Sequence, residues 1–166
     1  MNARQAVLVL LAAAAVTLTS AAAAGPHVAK QRVAINMKNP DNGTFVLTPR
    51  RASPTEVGTL KRDSGTVSLV YNDPTTVMRE GQRIDVYRNT YTLKGKRGNL
   101  SIRERTEFVS VSNEKVPGFD FTPGVGIGTW KVVGGTGAYA KVTGGGRSGH
   151  QGHPWLVRQE GFLTAG

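Results

Sequence analysis

The chain has 166 residues, with 21 basic and 11 acidic side chains for a formal charge of +10 at neutral pH, and no cysteine. The missing cysteines exclude a disulfide framework. The basic pairs Arg50-Arg51, Lys61-Arg62 and Lys96-Arg97 sit at turns without interleaved aromatics, so the charge does not build a single-strand nucleic-acid platform, and no nucleic acid is expected as a partner.

Residues 1–24 read as a secretory signal peptide: Arg4, an apolar run from Ala6 to Leu18, then Ala22-Ala23-Ala24 before Gly25. The run is too short for a spanning helix, which takes roughly 20 residues. No transmembrane segment is therefore expected after cleavage, and no cysteine follows Ala24 to carry a lipid anchor. Cleavage removes Arg4 and leaves 20 basic residues against 11 acidic ones, a charge of +9. A chain of about 140 residues can bury a core of its own as one domain. It is expected to be secreted, into either the periplasm or the extracellular space.

In chain order, residues 25–41 form an N-terminal arm with a first strand in Arg32–Met37, and residues 42–166 form the folded domain. Asn39-Pro40-Asp41-Asn42-Gly43 is a turn signal, and Thr44–Thr48 a strand that ends at Pro49. Arg50–Arg62 is a loop punctuated by Pro54 and Gly58. Asp63–Tyr71 is the next strand, Asn72-Asp73-Pro74 and Glu80-Gly81 are turns, and Arg83–Lys94 is a long strand. The polar run from Lys94 to Asn99 makes a hairpin with Leu100–Ser112. Asn113–Gly126 is a Pro- and Gly-rich surface loop of the kind that lines the mouth of a site. Strands around Trp130, from Ala140 to about Ser148, and from Trp155 to Leu163 complete about eight. No window has a sustained helical period, so the chain is all-β, a sandwich or a closed antiparallel barrel.

The sharpest local feature is Val132-Val133-Gly134-Gly135-Thr136-Gly137, where the three glycines are expected to turn the chain. Ala138-Tyr139-Ala140 then makes about one helix-like turn, and a strand of small residues continues to Gly146. This corner resembles the allene oxide cyclase and dirigent group, in which paired valines lead into Gly-Gly-Thr-Gly and an aromatic follows, here Tyr139. Gly43-Thr44-Phe45 and Asp63-Ser64-Gly65-Thr66 resemble bacterial secreted members of the group. The resemblance implies a single eight-stranded antiparallel β-barrel with an internal cavity, often as a homo-oligomer. It implies either an isomerase that cyclises an unsaturated oxygenated lipid or a protein that orients phenolic radicals. It is specific over about 20 residues around the corner and extends more loosely over Gly43 to Thr164. The group's acidic or aromatic catalytic positions are not matched residue by residue, because the likeness fades outside the corner.

Candidate chemistry centres on Glu104. Period two places Leu100, Ile102, Glu104, Thr106 and Phe108 on one face of their strand. A carboxylate on an apolar inward face has its pKa raised unless a cation or donor faces it, which suits a general acid or base. Arg88 is the expected ion-pair partner. The row Asp85, Tyr87, Asn89, Tyr91 reads as an exposed polar face that could nevertheless supply ligand contacts through Tyr87 and Tyr91. His150 and His153 lie in a Gly-rich turn without a visible third ligand, so neither a metal nor a cofactor is expected, and His27 has no assigned role. A dinucleotide fingerprint at Gly135-Thr136-Gly137 fails because Gly144, Gly145 and Gly146 stop any helix. Asp63 reads as a turn cap, and Trp130 and Trp155 as core or rim packing. The leading expectation is a module that holds a small apolar or amphipathic molecule, oriented by Arg88, Glu104, Tyr87 and Tyr91. The alternatives are a cyclase or isomerase using Glu104, and a non-catalytic cationic envelope protein.

Overall fold

The computed structural model describes residues 30–50, 60–110, 123–152 and 155–166. The expected signal peptide, His27, His153 and most of the expected loops at 50–62 and 113–126 lie outside the described residues. Nine strands run β1 Lys30–Lys38, β2 Thr44–Arg50, β3 Asp63–Val70, β4 Thr75–Arg79, β5 Gln82–Gly95, β6 Gly98–Ser110, β7 Gly124–Gly135, β8 Thr143–Gln151 and β9 Leu156–Thr164. They form one antiparallel sheet in the order β3-β2-β1-β9-β8-β7-β6-β5-β4, and a further β3–β5 pairing closes it into a ring. Among the described residues no helix is long and apolar enough to cross a membrane.

The ring closes because β5 is long enough to serve two partners along one edge. Its residues Thr90–Gly95 pair with β3, and its residues Gln82–Val86 pair with β4. Between them, Tyr71 to Pro74 leave the sheet, and the Asn72 side-chain amide donates to the Arg88 carbonyl at 2.8 Å to span the break. Pro74 has no N–H to give to a ladder, which accounts for one strand being cut into two. β4 and β5 are joined through Glu80 (φ 52°) and Gly81 (φ 78°), the left-handed pair of a tight hairpin turn.

Alternation decides what lies inside. β1 sends Val33, Ile35 and Met37 inward, β2 Phe45 and Leu47, β5 Tyr91 and Leu93, β6 Leu100 and Ile102, and β9 Val157 and Leu163. Trp130 on β7 is opposite Gly146, which in turn is opposite Gly161. The indole N–H donates to the carbonyls of Arg147 (3.0 Å) and Glu160 (3.3 Å). The triple glycine of the sequence lets β8 lie close against its neighbours' backbones: a Cβ would stand 2.1 Å from the Phe162 carbonyl oxygen at Gly144, 2.5 Å from that of Trp130 at Gly145 and 2.0 Å from that of Glu160 at Gly146.

The glycine corner departs from expectation in detail. Gly134 and Gly135 still belong to β7, where a register shift at Ser101/Ile102 makes Val133 the extra residue of a bulge. Of the expected turn residues, only Gly137 takes a left-handed φ, 57°. Thr136 is extended, and its hydroxyl accepts the Asn99 N–H at 3.0 Å. Gly137–Tyr139 form a single 3-10 turn, so the helix-like turn is present and one glycine, not three, makes the corner.

Candidate functional site

Glu104 points into the ring and is 1 % exposed. Its neighbours come from three other strands. Tyr91 on β5 donates its hydroxyl to Oε2 at 2.9 Å, and Gln159 on β9 donates its amide to Oε1 at 3.1 Å. His150 on β8 places Nε2 at 3.0 Å from Oε2, and that nitrogen also lies 3.2 Å from the Thr106 hydroxyl. Burial is the largest single influence and pushes the carboxyl upward, but the hydrogen bond and charge of His150, with Ser148 and Gln159, together outweigh it, so the pKa falls below the usual glutamate range. Ser148 is close enough to add to that lowering, yet its Oγ makes no hydrogen bond of good geometry. Burial, together with the Glu104 charge, pushes the Tyr91 phenol well above its ordinary range and keeps it a neutral donor.

An ionised carboxylate only accepts, and that fixes the sense of every bond around it. The imidazole proton must sit on Nε2. The Tyr91 proton is committed to Glu104, so the phenol oxygen is left to accept, and it takes the Asn89 amide N–H at 3.4 Å. The Asn89 carbonyl then faces the other way. Gln159 likewise turns its nitrogen to Glu104 and its carbonyl away. Asn89 Oδ1, Gln159 Oε1 and Ser148 Oγ end up buried with no hydrogen-bond partner among the described residues. Two of the three are forced to be acceptors. Ile35 is the cross-strand neighbour of Gln159 and Leu47 that of Ile35, so the polar cluster adjoins apolar core on the β1 and β2 side.

Several expectations need correction. The pairing of β5 with β6 runs without a break, which puts Ile84, Val86 and Arg88 on the outer face and Tyr87, Asn89 and Tyr91 on the inner one. Arg88 therefore does not meet Glu104. It is exposed, directly opposite Arg105, and His150 takes the place expected for it. The row through Asn89 and Tyr91 is buried core, not an exposed face, since it lies opposite the inward residues Ile102 and Glu104. Tyr87 is half-buried and meets Phe108 edge-on, at 6.3 Å between ring centroids, away from the carboxylate. His150 is not in a turn: β8 continues past Ser148 to Gln151, and period two carries Ser148 and His150 inward together. That period, extended by one more step, was the sequence signal for His150. Among the described residues no group of three His, Cys, Asp or Glu is placed to hold a metal.

Gly126 and Gly128 on β7 let this cluster assemble. A Cβ at Gly128 would stand 2.6 Å from the Arg105 carbonyl, 2.7 Å from Ser148 Oγ and 2.9 Å from Thr106 Oγ1. The backbone carbonyl cannot swing aside. Gly128→Ala is expected to destabilise the fold by about 1–3 kcal/mol, read as a lower urea midpoint. An unchanged midpoint would show that β7 moves outward at little cost. Compared with known proteins, the chain matches no family model, no curated protein and no solved structure.

Proposed function

We propose that the ring is an eight-stranded barrel of an exported protein, of the kind the allene oxide cyclase and dirigent resemblance implies. In this reading it holds a small, mostly apolar molecule through that molecule's own hydrogen-bond donors. One observation carries the reading: the buried acceptors Asn89 Oδ1 and Gln159 Oε1, together with Ser148 Oγ, have no partner among the described residues. Buried polar atoms are nearly always paired, and leaving one unpaired costs about 1–3 kcal/mol. Because Glu104 dictates which end of each amide is left over, the missing partner is a donor, such as an alcohol or phenol. The apolar side chains of Ile35 and Leu47, next to Gln159 in the sheet, receive the hydrocarbon part. Glu104 acts as an orienting group. A carboxylate held below its ordinary range takes a proton poorly near neutral pH, so proton-transfer chemistry is not part of the proposal.

The test is a matched pair of probes, 2-naphthol and 2-methoxynaphthalene, which share a ring system and differ in one donor. Quenching of their fluorescence should report micromolar binding of the naphthol and binding at least ten-fold weaker for the ether, with the difference reduced by Ser148→Ala. Equal affinity for the two, or no binding of either at millimolar concentration, would mean that the leftover acceptors serve only buried water.

A further inference from the structure

The outer face of β5, β6 and β7 carries an arrangement that the interior does not explain. Arg88 is directly opposite Arg105, and Arg103 is directly opposite Lys131. Like charges facing each other across neighbouring strands destabilise a sheet, and here two such pairs lie side by side. Surface ion pairs do little to relieve them. Arg105 is held by Glu107 at 3.0 Å, but Glu107 is shared with Arg79 at 3.1 Å. Arg88, Arg103 and Lys131 have no counter-ion among the described residues. The four cations and Thr129, together with Trp130 and the inward-turned Glu104, line a shallow groove of about 260 Å³. That is small beside an ordinary drug-sized pocket of roughly 300–1,000 Å³, but ample for a phosphoryl group or two with part of their water.

We infer that this groove is an oxyanion site for a phosphoryl group on the outer face of the sheet. Three guanidinium groups offer paired N–H donors that match phosphate oxygens bidentately, Lys131 adds a point charge, and the Thr129 hydroxyl adds a further donor. A bound dianion would turn both repulsive cross-strand pairs into bridged ones, so the arrangement that weakens the empty sheet strengthens the occupied one. Like charges would not be concentrated at one place on a solvated surface merely to raise the net charge, which any exposed position could do.

The experiment titrates the full chain with pyrophosphate by calorimetry at low ionic strength, and in parallel measures sedimentation with phosphatidate-containing and pure phosphatidylcholine vesicles. Pyrophosphate is expected to bind, to weaken steeply as salt is raised, and to lose at least ten-fold in affinity in Arg103→Gln and in Arg88→Gln. Lys38→Gln on β1, across the ring, removes the same charge from an exposed position and should leave binding within two-fold. Retention by phosphatidate vesicles alone, lost in Arg103→Gln, supports the site and assigns its phosphoryl group to a lipid head. Equal losses in Lys38→Gln and Arg103→Gln overturn the inference, because net charge would then be the cause. So would the absence of binding in both arms. Either failure leaves the naphthol experiment unaffected, since those acceptors lie on the other face of the sheet.

Discussion

Asp63→Ala is expected to cost about 3–4 kcal/mol, seen as a lower urea midpoint with an unchanged slope and a fall in Tm of roughly 10 °C. Asp63 opens β3, is 4 % exposed, and ties three distant pieces of chain together. Its carboxylate accepts the N–H of Ser64 (2.8 Å), those of Lys96 (3.1 Å) and Arg97 (3.3 Å) in the β5–β6 hairpin turn, and the hydroxyl of Tyr139 (2.9 Å) in the 3-10 turn. The aspartate therefore pins the hairpin and the glycine corner to the start of β3, at one end of the ring. Alanine would leave the buried Tyr139 hydroxyl and the turn amides short of an acceptor. Asparagine keeps one acceptor but turns an NH2 toward donors, so Asp63→Asn should recover only part of the loss. In a double-mutant cycle with Tyr139→Phe the coupling should reach about 1–3 kcal/mol. A loss below 1 kcal/mol in the alanine variant would show that these turns hold without the pin.

How much of this was legible in the sequence depends on the range of each signal. The inward row Leu100, Ile102, Glu104, Thr106 needs only a period of two within one strand, and it was readable. Asp63 before Ser64-Gly65 read as a turn cap for the same local reason; its longer bonds to Lys96 and Tyr139 did not show. β4 was invisible because all five of its residues are exposed and it lies between Pro74 and the Glu80-Gly81 turn. β5 carries buried residues on both faces, Ile84 and Val86 outside, Tyr91 and Leu93 inside. Alternation alone therefore could not say which row was core. The partners of Glu104 were the least readable part. Gln159 lies 55 residues away and meets the carboxylate only because the ring closes through β9. Arg88, nearby in sequence and of the right charge, was the natural guess, and strand register puts it on the wrong side of the sheet.

Register also determines how the fold should respond to acid, and here Glu104 dominates. Its folded pKa lies below the ordinary value of 4.5, so folding favours the charged form. The stability this contributes is fully present above pH 4.5 and is lost as the pH falls through the lower folded value. Protonation would replace an acceptor by a hydroxyl facing Tyr91, His150 and Gln159, all of which donate to it. Urea midpoints of the native chain should therefore decline below pH 4.5, and in Glu104→Gln that part of the decline should be absent. The glutamine variant should itself be weaker at neutral pH by about 2–3 kcal/mol, because its NH2 must oppose a donor. Glu104→Ala should lose about 3–5 kcal/mol by leaving the His150 imidazole and its neighbours without an acceptor in a buried site. The opposite limb belongs to the tyrosines. Tyr91 is raised by burial and by Glu104, and Tyr139 by burial and by Asp63, so each favours the proton in the fold. Their contribution holds below the ordinary value of 10 and drains away as the pH climbs above it. Identical acid limbs in the native and Glu104→Gln proteins would place the acid-sensitive carboxylate elsewhere, and would remove the fixed direction of hydrogen bonding from which the donor-bearing ligand was argued.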